Sequence, residues 1–362
     1  MISVATTPRE MRLLPRGNWL DESGPVVESA IPVFLGKISL SGPRATRLDL
    51  ANWLCDAENG SGLLTARVFA NRFWYLMFGS GISPALDDFG GQGAPPEHPE
   101  LLDQLALELV SSRWNVRDLL KRIVMSRTYR QSSAWTVDLR EIDPSNALYA
   151  RQSTFRLPAE MIRDYALDVS GLLVRKVGGA SVKPYQPVGY YRHLNFPVRK
   201  YASHEDDRQW RRGLYVHWQR QFLHPMMKAF DAPSREECTA QRPLSNTPLA
   251  ALTLLNDPTF VEAARAFAAR MIIESPGDSA IDRLNYGMLL AVSRTPNSAE
   301  QKLLLNLLKS ATKQYKTDPA AAANSVSNGL SKRADTIDPV ELAAWTTVAR
   351  ALLNLDESMT RY

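Results

Sequence analysis

Two polar stretches of the chain hold the residue types from which a reaction or a binding site could be built. In the first, Asp87–Glu100 (DDFGGQGAPPEHPE), two adjacent carboxylates precede a glycine-rich turn, and His98 stands beside Glu100 at a helix entry. Asp87 or Asp88 could exchange a proton with His98, and the same acids could hold a hard cation. A structural role is equally concrete: Asp88 and His98 cap helix ends and bond backbone amides while the glycines supply positive φ. No His-x-x-x-His spacing favours a metal, and no metal site is expected.

The second stretch, Arg211–Asn256, interleaves Arg211, Arg212, Arg220, Arg235 and Arg242 with Tyr215, Trp218 and Phe222, followed by Asp231, Glu236 and Glu237. Guanidinium planes and aromatic faces suit a sugar ring, an anionic substituent or a base. The same residues can instead form an internal network of Arg and carboxylate pairs that pins an irregular backbone. His193, His204, His217 and His224 are scattered through this region and read as hydrogen-bonded structural groups. Gly213–Trp218 looks strand-like, and alternation along it would send His217 and Trp218 to opposite faces. There is no Gly-x-Ser-x-Gly, and no Walker or dinucleotide glycine motif follows a strand, which disfavours the common hydrolase and nucleotide-binding classes.

The elements that must position these residues are mostly helical. Arg47–Cys55 and Thr65–Phe78 read as helices, the second stopped by Gly79 and Gly81. Pro99 opens a helix with Leu101, Leu102, Leu105 and Leu109 on one stripe, and Asn115 with Asp118 caps the next. Pro158, read at a first helical position, precedes Ile162, Tyr165, Val169 and Leu172. Asp257 and Pro258 start a helix carrying Phe260, Ala264, Phe267 and Met271, Ser298 with Gln301 caps another, and Asp338, Pro339 and Glu341 begin the last. Ala320–Ala323 reads as an exposed loop or frayed helix. The expected fold is mainly α, with a long irregular central insert and a few short strands. Its predicted divisions are an extended N-terminal arm over 1–43 lying on the rest of the protein, helices over 44–175, the insert over 176–246, and helices over 247–362.

Bulk composition narrows the class without naming a reaction. At 362 residues, 44% hydrophobic and 22% charged, the chain can bury a real core in one large domain or two. The 43 Lys and Arg are interspersed with 38 Asp and Glu, so the net charge of +5 argues only weakly for a polyanion, and nucleic acid is the least favoured partner. Cys55 and Cys238 lie in no Cys-x-x-Cys or Cys-x-x-Cys-His pattern, which leaves no haem or zinc-ribbon site, and no cofactor is expected in this chain. Two buried free thiols are expected, with one disulfide as the alternative. No apolar run approaches the roughly 18 residues that span a bilayer, and the N-terminus shows no uninterrupted apolar export segment.

The segments TARVFANRFWYLMFGSGI, DDFGGQGAPPEHPELLDQLA, SRTYRQSS, FRLPAEMIRDYAL, AFDAPSREECTAQRPLSNTPLAALTLLNDPTFVEAARA and ELAAWTTVARALLNLDE together resemble the planctomycete-specific domain of unknown function numbered fifteen-fifty-three, from about Arg44 to the C-terminus. The resemblance implies an extracytoplasmic setting, an upstream helical domain and often a cytochrome c domain as neighbours, with haem c confined to that missing upstream part. It implies that the chain is a C-terminal portion or a shortened relative. The family supplies no catalytic residues to carry over, so its motif positions are site candidates: Asn71, Arg72, Asp88, Gln92, His98, Arg130, Asp231, Arg235, Arg242, Asn246 and Asn256.

Three functional expectations follow. The first is an extracytoplasmic module that recognises or processes glycans in a cytochrome c-linked context, with Asp88, His98 and Asp231 as catalytic candidates. Its ligand-binding candidates are the remaining motif positions together with Arg211, Tyr215 and Trp218. The second is a non-catalytic interaction domain that docks an upstream helical domain. Nucleic-acid binding is the third.

Overall fold

Several helices begin where a short polar side chain satisfies the free amides of a first turn. The computed structural model describes Val4 and residues 6–193, 198–219 and 222–362. Among these residues it holds fourteen α-helices and one two-stranded sheet, so the fold is mainly α as the sequence predicts. The chain divides into two compact units, Met1–Gln152 and Ser153–Tyr362.

The first unit holds α1 (Arg47–Cys55), α2 (Gly62–Phe78), α3 (Pro99–Ser111), α4 (Val116–Met125), α5 (Arg127–Arg130) and α6 (Val137–Ile142). Thr46 and Asp49 cap α1 reciprocally, and Asp49 also accepts hydrogen bonds from the amide and hydroxyl of Ser41. These donors, Ser41 first and then Thr46, hold the Asp49 carboxyl well below the usual carboxylate range. Gly79, at φ 73°, ends α2 in the left-handed conformation that glycine adopts without strain. Ala66, Ala70, Trp74 and Phe78 of α2 pack on Leu102, Leu105 and Leu109 of α3 and on Leu119 and Ile123 of α4. The Trp74 and Phe78 rings stack at 4.2 Å, and Tyr149 meets both edge-on at 5.1 and 5.4 Å. Each such side chain contributes about 1.5–3 kcal/mol by leaving water.

The arm differs from its expected form. It closes on itself, Leu13 N donating to Pro25 O and Val27 N to Met11 O, while most of its described side chains face water. Ser41, at its C-terminal end, ties to Asp49.

The second unit begins with β1 (Phe155–Arg156), which pairs antiparallel with β2 (Thr360–Arg361). Between them run α7 (Ala159–Val169), α8 (Pro225–Ala229), α9 (Pro248–Asn256), α10 (Pro258–Ile273), α11 (Ala280–Val292), α12 (Ser298–Thr317), α13 (Pro319–Ser325) and α14 (Pro339–Leu353). α10 is the central rod, packed most extensively on α14, and α14 packs on α12. Phe260, Phe267 and Met271 of α10 meet Val348 and Leu352 of α14 in a core that also takes in Met288.

Several local expectations are corrected. Gly213–Trp218 is not a strand: Gly213–Tyr215 form a three-ten turn, because the Gly213 amide is drawn to Asp164 Oδ1 at 2.5 Å and the Val216 amide folds back to Gly213 O. α12 is capped one residue earlier than predicted, by Asn297 with Glu300 rather than Ser298 with Gln301. Pro158 is the residue before α7 and not its first. Ala320–Ala323 belong to α13, with Ala322 fully buried, and so are neither loop nor frayed end. Cys55 and Cys238 are free but exposed, where burial was expected.

Candidate functional site

In the first unit the loop from Asp87 to Glu100 is held from beneath by α2. Asn71 is fully buried, and its amide both donates to Ser83 O and accepts from Ser83 N, each at 2.9 Å. Arg72 reaches Leu86 O through Nε and Nη2, both at 3.4 Å. Ser83 Oγ donates to Ala94 O at 3.1 Å, and Glu97 N to Ile82 O. Asp88 is exposed and accepts from Gly90 N at 2.9 Å, closing a turn instead of capping a helix. His98 stands at the N-cap of α3 but caps nothing with its side chain; its Nε2 lies 3.0 Å from Ala147 O, which requires the proton on that nitrogen. No hydrogen bond joins Asp88 to His98. Gln92 and Arg130 are exposed and make no side-chain hydrogen bond among the described residues.

In the second unit the arginines of the insert serve the backbone. Arg211 spans the Lys176–Ala180 turn, donating to Lys176 O at 3.0 Å, Gly178 O at 2.6 Å and Ala180 O at 3.2 Å. Its guanidinium also lies 4.0 Å from the ring centre of Tyr215, whose hydroxyl accepts from Gly178 N at 2.7 Å. Arg235 lies 3.7 Å over Trp218, and Trp218 Nε1 donates to Pro233 O at 3.1 Å. Arg212 pairs with Asp164 at 3.2 Å and Arg242 with Glu160 at 2.7 Å, both acids on α7. Arg220 lies outside the described residues. Asn246 is exposed without a side-chain hydrogen bond among the described residues, and Asn256 donates to Leu252 O at 3.0 Å within α9.

Asp231 occupies a left-handed backbone position, φ 60°. Ser245 donates to it twice, from N at 2.8 Å and from Oγ at 2.7 Å, and Arg156 pairs with it. Burial pushes the Asp231 carboxyl up, but these donors outweigh it and hold the group below its usual range. A carboxylate so held is an acceptor that locks a turn, and is poorly suited to donate a proton near neutrality.

Asp88 and His98 therefore belong to one unit and Asp231 to the other, each with a structural partner of its own.

Sequence reasoning overlooked a fully buried acid. Glu262 on α10 is fully buried; Oε2 accepts from Tyr185 Oη at 3.0 Å and Trp210 Nε1 at 3.1 Å, and Oε1 from Ser331 N at 2.5 Å. Gly329 (φ 91°) passes so close that an added Cβ would stand 2.2 Å from the Glu262 carboxyl carbon. The missed signal was α10 itself, which is apolar nearly all round through Phe260, Ala263, Ala264, Phe267, Ala268 and Met271, so its Glu262 and Arg265 had to be interior too. Arg163 on α7 was missed likewise. It is fully buried and donates to the carbonyls of Gln209 and Arg211, and burial pushes its pKa down to about 10.

Among the described residues, no helix is long and apolar enough to cross a membrane. No curated protein and no solved structure matches the chain. A family described as "PSD1: Protein of unknown function (DUF1553)" matches residues 46–308, a span that contains α1 to α11, the loop over α2 and the whole insert. The match covers well over half of the sequence, and the chain belongs to that family, DUF1553.

Proposed function

We propose that the domain is a non-catalytic interaction module whose first unit docks a helical protein partner through an apolar surface, in an extracytoplasmic, cytochrome c-linked assembly. One observation carries the reading. The arm, α1 and α2 hold large apolar side chains in water: Trp19 is 76% exposed, Phe34 86%, Leu48 65%, Phe69 44% and Leu76 55%. Phe69, Phe73 and Leu76 recur at i, i+4 and i+7 on α2, and the Phe69 and Phe73 rings lie 5.9 Å apart, so this is a stripe and not scattered single residues. A stripe of that spacing is what one amphipathic helix offers another. The polar candidates, by contrast, are largely engaged in holding backbone.

A second reading, recognition of a glycan, is favoured by a groove of about 540 Å³ along α7 in the second unit. Its walls combine Met161 and Tyr165 with two ion pairs, Asp164 with Arg212 and Asp168 with Arg175. Apolar surface flanked by hydrogen-bonding groups suits a sugar ring.

The test pairs the two readings. A Phe69→Ser/Leu76→Ser variant, changed only at exposed positions, should keep wild-type helicity by circular dichroism and lose about tenfold or more in affinity for the family's upstream helical domain, supplied as a separate polypeptide. Undiminished binding by the variant, or no binding by the wild type, would overturn the docking reading. Calorimetric titration with oligosaccharides in the same preparations then reads the α7 groove on its own.

A further inference from the structure

One hollow in the second unit carries charge of a single sign. It has a volume of about 200 Å³, and every charged residue lining it is a cation: Arg265, Lys332 and Arg333. Its apolar floor includes Leu172 and Ala269, the latter one turn beyond Arg265 on α10.

The loop Ser331–Ala334, between α13 and α14, closes the hollow, and interior bonds fix that loop. Ser331 N donates to Glu262 Oε1, and Arg265 Nη2 donates to Ser331 O at 2.7 Å and pairs with its hydroxyl. Lys332 and Arg333 are thereby presented from a backbone that is already anchored, which lowers the ordering cost of a ligand they would share. Two carboxylates stand near the three cations, leaving one positive charge in excess. Glu262 pairs with Arg265 at 3.9 Å while accepting from Tyr185, Trp210 and Ser331, and Asp335 meets Arg333 at 3.5 Å with its side chain 87% exposed. Water screens the second pair strongly.

Arg265 is the unusual member. It is only 3% exposed, yet among the described residues only its Nη2 has hydrogen-bond acceptors, and its Nε is buried with no partner. A guanidinium carries five N–H donors and no acceptor, and buried donors are normally satisfied. This one lines a hollow beside two further cations and is short of acceptors, the condition that an oxyanion relieves.

We propose that this hollow is a binding site for a small oxyanion, a phosphate, sulfate or carboxylate group, held by Arg265 with Lys332 and Arg333. Arg265 offers the Nη1 donors that its bonds to Ser331 leave free, the exposed Arg333 a planar fork that matches the oxygen spacing of such a group, and Lys332 a point charge, while the volume admits a small oxyanion together with water or the substituent it carries. The site goes beyond the docking reading and uses none of its residues.

The experiment is thermal melting and calorimetry of the full chain with inorganic phosphate, inorganic sulfate or acetate, each against chloride at matched ionic strength. At least one oxyanion should raise the melting temperature saturably, as a ligand of the native state does. A Lys332→Ala/Arg333→Ala variant, changed at exposed positions outside the anchoring bonds, should melt like wild type in chloride and bind the anion about tenfold or more weakly. A response to phosphate and sulfate but not acetate assigns the site to tetrahedral groups; an equal response to acetate extends it to carboxylates. Absence of any saturable stabilisation over chloride overturns the proposal, as does stabilisation that the double variant retains in full, since that is the general salting effect of such ions.

Discussion

His224 is the residue at which burial has its clearest chemical consequence. Its Nε2 lies 2.6 Å from Tyr185 O, a carbonyl that can only accept, so the proton sits on Nε2 and Nδ1 is a bare acceptor, buried without a partner. Protonating Nδ1 would put a charge into apolar surroundings near Arg163, and burial above all pushes the pKa from its ordinary 6.5 down to about 4. Between those two values the unfolded chain takes up a proton that the folded chain refuses. Stability should therefore be whole above pH 6.5, fall as the pH drops toward about 4, and level off below. The loss amounts to on the order of 3 kcal/mol, read as a shift of the urea midpoint across a pH series. His224→Gln should lack this part of the slope; identical slopes in the two proteins would refute the assignment. In the sequence His224 is one of several scattered histidines, and its structural role was legible while its isolation was not. Isolation comes from Tyr185, 39 residues away, and no spacing rule encodes that.

At the scale of elements, helices and insert differ in how they are specified. α4 and the start of α10 were readable because cap and stripe lie within one or two turns of each other: Asn115 with Asp118 ahead of Leu119 and Ile123, and Asp257 ahead of Phe260 and Ala264. The insert was readable only as irregular, since what orders it comes from elsewhere in the sequence. Arg163 of α7 holds the carbonyls of Gln209 and Arg211, and Asp164 next to it draws in the amide of Gly213. Arg163→Met, which keeps most of the side-chain volume, leaves two interior carbonyls without donors and should cost about 3 kcal/mol. Urea denaturation followed by far-ultraviolet circular dichroism should show the midpoint falling with little change in native helicity, because α7 needs no bond from its own Arg163 to stay helical. A midpoint unchanged from wild type would show that the insert is ordered by other means. The failed strand over Gly213–Trp218 has the same origin, for alternation in sequence yielded to one carboxylate on a neighbouring helix.

At the scale of the whole molecule, each unit has a hydrophobic core of its own, one around Trp74 and Phe78 and the other around α10 and α14. α7 follows the boundary at Ser153 and packs on α10, so the fragment 153–362 keeps its central contacts. That fragment, produced alone, should be helical and melt cooperatively; a featureless melt would mean that its core depends on residues before 153. The mainly helical class was legible from periodicity, as was the irregularity of the middle. The functional candidates were legible only as polar residues, since a side chain that serves a ligand and one that serves a carbonyl are of the same type and differ only in what stands opposite. One of the two thiols belongs to each unit, Cys55 to the first and Cys238 to the second, and both are open to solvent. The native chain thus already carries a matched pair of labelling handles, so a donor and an acceptor dye attached through maleimides would report the separation of its halves, and any change in it when a partner arrives, without engineering a single new cysteine.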